Sequence, residues 1–344
     1  MPALPSSIAI PASWAYRTAV RWRNARYEKG SGVEEIDRPV ISIGNISVGG
    51  TGKSPMVSWC AQTLREEGHQ PVIAMRGYKA PPGQPGDEEL EYHQRVPDVP
   101  VIARPDRTSA LREFFAEEDH DAFDCVILDD GFQHRQLARD CDIVLIDATQ
   151  HTFDDRVLPA GRLREPLSAL ARADAVVVTR AAEHDGSLEY LIRKSHGKSP
   201  VAWTRHVWNG LDLHGPEPAH VQSDWLKRKR LISMLGVGHP APIEAQILAA
   251  GAMVRRRIPV RDHQAYDARF LDAVRDACTH PQIDGLFVTP KDWVKLCDLV
   301  DWSSWPCAVI VPALKLEVFR GEDALRVMLV DTVRSAPDAD EPRP

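Results

Sequence analysis

Val40-Ile41-Ser42-Ile43-Gly44-Asn45-Ile46-Ser47-Val48-Gly49-Gly50-Thr51-Gly52-Lys53-Ser54-Pro55 decides how the rest of the chain is read. A short apolar run (Val40, Ile41, Ile43) leads into glycines and then into Gly52-Lys53-Ser54. After these, Met56, Val57, Trp59, Cys60 and Leu64 recur at helical spacing. The order predicts a strand, a phosphate loop and a helix. Glycines let successive backbone N–H groups converge on phosphate oxygens at a helix N-terminus, where the helix dipole favours an anion. Residues Ser47, Val48, Gly49, Gly50, Thr51, Gly52, Lys53 and Ser54 are therefore the nucleotide-binding set. Lys53 supplies a point charge for the outer phosphates, and Ser54 offers a hydroxyl to Mg2+. The strict pattern has a glycine five residues before Gly52, whereas this chain has Ser47; the loop is a variant.

Further along, Cys125-Val126-Ile127-Leu128-Asp129-Asp130-Gly131 is a buried-type strand ending in two carboxylates. Adjacent acids at a strand end are costly unless a cation or hydrogen-bond donors compensate them. In phosphate-loop enzymes this is where the acid associated with Mg2+ sits, so Asp129 and Asp130 join Ser54 as metal candidates. A solvated Asp-Asp-Gly turn is the structural alternative. Apolar runs at 71–75, 99–103, 143–146 and 175–178 alternate with helical or irregular connections. The expected fold is α/β: a phosphate-loop NTPase-like, mostly parallel, doubly wound sheet. The expected organisation is an amphipathic helix within 1–30, the nucleotide-binding domain over 31–195, a linker over 196–230, a smaller α/β domain over 231–334 and a disordered tail over 335–344.

Composition narrows the function classes. A net charge of -7 argues against nucleic acid as a partner. Six scattered cysteines, with no Cys-x-x-Cys and no secretory apolar region ahead of them, indicate unpaired thiols in a reducing cytoplasm. No run approaches the ~18 apolar residues of a spanning helix, so any membrane contact is peripheral. The first 29 residues are nonetheless basic, with Arg17, Arg21, Arg23, Arg26 and Lys29 against Glu28. On a helical plot of 12–27, Ala12, Ala15, Tyr16, Ala19, Val20, Trp22 and Tyr27 share one side, while Arg17, Arg21 and Asn24 face away. Such a helix suits an anionic membrane surface, or it packs on its own domain; the sequence leaves both open.

The motifs outside the loop, taken in order, resemble the tetraacyldisaccharide 4'-kinase family. Alongside Gly44 to Pro55, the matching stretches are Arg76-Gly77-Tyr78, Gly86-Asp87-Glu88, Asp129-Asp130-Gly131-Phe132-Gln133-His134 and Leu158 to Pro166. They continue with Gly236-Val237-Gly238, Asp262-His263, and Thr289 with Lys291-Asp292, so the resemblance spans nearly the whole chain. It implies ATP-dependent phosphorylation, with Mg2+, of the 4'-hydroxyl of a tetraacylated glucosamine disaccharide 1-phosphate. That chemistry belongs to lipid A biosynthesis at the cytoplasmic face of a bacterial inner membrane, an anionic surface. It further implies that the second domain closes over the nucleotide. By the family pattern Asp87 is the acceptor-side catalytic carboxylate and His263 its partner, with Asp130 and Arg164 also catalytic. Asn45, Arg76, Gly77, Tyr78 and Glu165 fall on the substrate side. Departures occur at Glu89, where proline is usual, at Phe153-Asp154-Asp155 and at Arg162.

A different class keeps a place beside the kinase: a phosphate-loop ATPase acting as a partner-switching or membrane-binding regulatory module. Partitioning ATPases of that class place a lysine just before the glycine pair, and Val48 occupies that position here.

Overall fold

The computed structural model describes residues 6–77, 85–117, 122–238, 240–260 and 266–335. The chain forms two units, Met1–Arg205 with Leu316–Pro344, and His206–Lys315. In the first, chain order runs α1 (Ser6–Glu28), β1 (Val40–Asn45), α2 (Lys53–Glu66), β2 (Pro71–Met75), α3 (Asp87–Arg95), β3 (Val101–Ala103) and α4 (Arg107–Phe115). Then come β4 (Cys125–Asp129), β5 (Cys141–Asp147), β6 (Ala175–Thr179), α5 (Gly186–His196) and β7 (Ala202–His214).

The sheet of this unit has the order β7-β6-β5-β1-β4-β2-β3, and each of its pairings is parallel. Burial on both faces explains why β1, β4, β5 and β6 read as continuous apolar runs rather than as alternating ones. One core face packs β1, β4 and β5 against Met56, Val57, Cys60 and Leu64 of α2. The chain order reverses beside β1, which is flanked by β4 and β5, and in open α/β sheets ligands bind at such a switch point.

Helix α1 docks on this unit by a narrow stripe. Ala9, Ser13 and Val20 are buried, and the Ser13 hydroxyl donates to the Val157 carbonyl at 2.8 Å. Asn24, expected to face away, instead points inward to Glu165. The outward face carries Ile8, Trp14 and Trp22, the last two 71% and 68% exposed. The helix thus packs on its domain and still leaves tryptophans uncovered.

In the second unit the chain continues with β8 (Ala219–Val221), β9 (Arg230–Met234), α6 (Ala241–Ala249), β10 (Met253–Ile258), α7 (Ala268–Cys278), β11 (Gly285–Val288), α8 (Pro290–Leu296) and β12 (Ala308–Arg320). Its strand order is β10-β9-β11-β12-β7, with β8 antiparallel on β7. Here the sequence reading needs correction. The 196–230 stretch is not a linker: it carries β7 and β8. The smaller unit is also not 231–334, because β12 runs on past Lys315 and α9 (Glu322–Arg334) rejoins the first unit. Strand β7 escapes pattern recognition because its middle residues are only part-buried, which gives neither an apolar run nor a clean alternation.

Cys60, Cys125, Cys141, Cys278 and Cys307 are buried free thiols, and Cys297 is a part-buried one. Among the described residues no helix is long and apolar enough to cross a membrane.

Candidate functional site

The loop between β1 and α2 is built as the sequence reading expects. Gly52 caps α2 with φ 83, a left-handed conformation that disfavours a Cβ. Gly44 is required for a different reason: a Cβ there would lie 2.6 Å from Phe132 Cβ, so only glycine lets the 131–134 turn approach β1. Ser47 replaces the expected glycine without strain, since its φ is not positive. The loop is pinned from below and from the side. Asn45 Nδ2 donates to Thr51 Oγ1 at 2.8 Å, the Thr179 hydroxyl donates to the Thr51 carbonyl at 2.8 Å, and Val48 N donates to the Arg162 carbonyl at 2.8 Å. Arg162, one of the departures from the family pattern, thereby holds the loop's first half. Pre-ordered amides need no reorganisation when phosphate arrives.

Beside the loop, at the end of β4, stand the two acids. Lys53 Nζ lies 3.5 Å from Asp130 Oδ1, and Arg164 Nη1 donates to both Asp130 oxygens at 2.9 and 2.7 Å. Burial opposes ionisation of Asp130, but Lys53 and Arg164 outweigh it and hold its carboxyl below the ordinary aspartate value. Asp129 lies deeper. Burial pushes its carboxyl up to about 6, with Lys53 opposing the rise and Asp130 and Glu88 adding to it. The Tyr92 hydroxyl donates to Asp129 Oδ2 at 3.0 Å, whereas Oδ1 is buried with no hydrogen-bond partner.

That orphaned oxygen is a test of fit for Mg2+. The ion takes one or two carboxylates and completes its shell with phosphate oxygens and water, so it needs no cage of protein ligands. Among the described residues no group of three or more His, Cys, Asp or Glu side chains could hold a metal. A single buried, unpartnered carboxylate oxygen at the end of β4 fits the sparse requirement. Asp130, with both oxygens taken by Arg164, fits less well as a ligand.

Glu165 departs from expectation. Its side chain is fully buried and accepts from Arg172 Nη1 and Nη2 at 2.8 and 2.9 Å, Asn24 Nδ2 at 2.8 Å and Gln133 Nε2 at 3.1 Å. With both oxygens engaged and no exposure, it ties α1 and the 131–134 turn to the loop after β5 and does not face a substrate. Burial alone would raise its carboxyl, but these donors hold it below the ordinary glutamate value. Removing one member of such a pair strands the other, so Glu165→Gln is expected to destabilise the protein by about 3–5 kcal/mol in urea melts at neutral pH. A depressed acid stabilises the fold above its unfolded value and loses that effect as pH falls through the folded one. The gap between wild type and variant should therefore narrow on acidification below the usual glutamate range. A gap that ignores pH would remove the charge from this account.

Asn45 is likewise buried, under the loop. Gly77 has φ 65 and lies against the Ala103 carbonyl. Asp87 is the first residue of α3, and Arg76 lies just after β2, whereas the Asp87 side chain, Tyr78 and His263 lie outside the described residues. Gly86 caps α3, and its N–H is accepted by Glu89 Oε2 at 3.2 Å, which gives the departure at Glu89 a purpose: it closes the helix start. Sequence reasoning missed Tyr92, Arg107 and Arg172. Arg107 is buried and donates to the Asp129 carbonyl at 2.9 Å. No spacing relates these residues to the loop, so only the fold could reveal them.

Comparison with known proteins supplies the context. The family model for tetraacyldisaccharide-1-P 4'-kinase matches residues 6–334. A tetraacyldisaccharide 4'-kinase of Ectopseudomonas mendocina is 40% identical over 318 residues, covering 87% of this chain and 86% of that protein. The corresponding protein of Bdellovibrio bacteriovorus is 32% identical over 316 residues, covering 86% and 92%. Among solved structures, LpxK from Aquifex aeolicus in complex with ATP superposes with a TM-score of 0.71 at 27% identity, covering 94% of this chain and 98% of that one.

Proposed function

The chain belongs to the tetraacyldisaccharide-1-P 4'-kinase family, and from that premise we propose how its residues perform the transfer. It is an ATP-dependent kinase that phosphorylates the 4'-hydroxyl of a tetraacyl glucosamine disaccharide 1-phosphate in lipid A biosynthesis. The observation that carries the assignment of roles is the cluster of Lys53, Asp130 and Arg164 beside the phosphate loop, with Asp129 buried next to it.

Phosphoryl transfer asks a protein for position and charge more than for covalent chemistry. The loop amides and Lys53 hold the outer phosphates. Ser54 and Asp129 are the residues that would hold Mg2+, which would supply charge neutralisation at the phosphate oxygens. Asp130 fixes the direction of Lys53 and Arg164, so both cations stay at the phosphate end instead of pairing elsewhere. Asp87 accepts the proton of the sugar hydroxyl, and His263 orients it, as the family pattern implies. Radiolabelled ATP, Mg2+ and a tetraacyldisaccharide 1-phosphate in detergent test the reading directly: label must appear in the lipid. ATP hydrolysis with an unlabelled lipid would overturn it and favour the regulatory ATPase.

The lipid acceptor places the enzyme at the cytoplasmic face of the inner membrane, and α1 is the element that meets it. Trp14 and Trp22 project outward beside Arg17, Arg21 and Arg23, the composition that an anionic interface binds. Each tryptophan that leaves water for the interface contributes on the order of 1.5–3 kcal/mol. Replacing Trp14 and Trp22 together with glutamate should therefore weaken co-sedimentation with anionic vesicles by at least about tenfold. Melting should be unchanged, because neither side chain is buried. Vesicle binding equal to wild type would return α1 to a purely structural role.

A further inference from the structure

The geometry points to Arg180 as a further nucleotide-contact residue, set on the ribose-and-base side of the phosphate loop and positioned by Asp147; this rests on the reading of the loop as the ATP site. Strand β6 ends at Thr179, whose hydroxyl is already spent on the loop's Thr51 carbonyl. The next residue, Arg180, adopts φ 55, a left-handed conformation that a long side chain rarely takes without surrounding constraint. The constraint is visible on one arm of the guanidinium, and the other arm faces the phosphate loop. Nη1 donates to Asp147 Oδ2 at 2.8 Å, and Nη2 lies 3.7 Å from where a Cβ on Gly50 would stand. Arg180 thus bridges from Asp147 at the end of β5 to the side of the phosphate loop at Gly50.

Asp147 is built to hold it there. It is 1% exposed and, besides Arg180, accepts from Thr149 N and Oγ1 at 2.9 and 2.7 Å and from Gln150 Nε2 at 3.0 Å. A buried carboxylate with this many donors is fixed in direction. Arg180 itself is 37% exposed, so it is anchored at one end and open at the other.

Topology says which part of a nucleotide it meets. Strand β1 lies between β4 and β5, and β6 follows β5. Asp129 and Asp130, on the β4 side, belong with the metal and the phosphate that leaves. The remainder of the nucleotide then extends over the other flank, above the ends of β5 and β6, where Asp147 and Arg180 stand. A planar guanidinium there can lie against a purine face and donate to a ribose hydroxyl.

Calorimetry on the full-length protein with Mg2+ and either ADP or tripolyphosphate tests this, since neither probe needs the lipid. Arg180→Ala should weaken ADP binding about tenfold, the scale of a lost desolvated cation–π contact, and leave tripolyphosphate within about twofold. In the kinase assay the KM for ATP should rise by the same factor, with kcat and the acceptor KM held. Asp147→Asn should move ADP affinity in the same direction by a smaller factor, as expected of a positioning residue. Should Arg180→Ala fold poorly, Arg180→Gln keeps the side-chain length and must show the same selective loss. Unchanged ADP affinity in a folded variant overturns the proposal, and so does an equal loss for tripolyphosphate, which would put the contact on the phosphates. Wild-type protein that binds no ADP would instead overturn the ATP reading itself.

Discussion

Replacing Asp87 with alanine will leave ATP bound and the lipid unphosphorylated. The fold supplies a reason to single out this carboxylate from its acidic neighbours Glu88 and Glu89. Gly86 is the cap of α3 and Glu89 receives its N–H, so the helix start does not depend on Asp87. Five residues further along the same helix, Tyr92 is fully buried and bonds to Asp129. That contact pins α3 to the acid pair, and with it the first turn that bears Asp87. A general base is worth ~10²–10⁴ in rate, so kcat should fall by about that factor while the ATP dissociation constant moves less than about threefold. Glu89→Ala should weaken the helix start and leave chemistry mostly intact. If Asp87→Ala retains more than a tenth of wild-type turnover, the base lies elsewhere.

Lys53→Ala is the second variant expected to be nearly inert, for a different reason. Lys53 is held by Asp130 at 3.5 Å, and Asp130 is itself gripped by Arg164, so the ammonium is already aimed before nucleotide arrives. Removing it takes away one pre-set donor to the developing charge, a change worth ~10²–10³ in kcat. It also leaves Asp130 facing the phosphates with one cation fewer, so ATP affinity should fall as well. Both constants therefore move, in contrast to Asp87→Ala. Steady-state kinetics with ATP and lipid varied in turn separates the two cases. A Lys53→Ala enzyme with normal kcat at saturating ATP would show that the loop amides and metal suffice.

The parts of this site that were legible in the sequence are those with local signatures. Gly49 to Ser54, with an apolar run before and a periodic run after, can be little else, and the acid pair is marked by Cys125 to Leu128 in front of it. Side chains that act by tertiary contact leave no such mark. Tyr92 and Arg107 reach the acids from α3 and α4, Arg172 reaches Glu165 and the Phe132 carbonyl from the turn at 167–172, and Arg180 reaches toward Gly50 from the end of β6, all at separations that only the strand order fixes. Glu165 shows the converse: adjacency to Arg164 in a matching motif suggested a place in the cleft, yet consecutive residues of an extended loop point to opposite sides, and its side chain is turned inward. The domain boundary was misplaced for a related reason, since part-buried β7 and the long continuation of β12 lack a clean period. Helix α5 was within reach, with Asp185 as cap, three basic residues in its last turn and Gly197 at φ 95 to end it.

The return of the chain to its first unit governs how the enzyme is made. Leu316 and Val318 of β12 and Leu325, Leu329 and Val333 of α9 complete the same core that backs α2, and Arg326 reaches Glu66 at 2.9 Å. The helix that carries the phosphate loop is therefore sealed by residues that leave the ribosome only after the whole of 206–315. During synthesis the nucleotide-binding half waits with an open flank while residues 206–315 emerge, and those residues, being contiguous, can settle first. Translation that stops short of α9 yields a chain that contains every proposed catalytic residue and lacks part of the core beneath the phosphate loop.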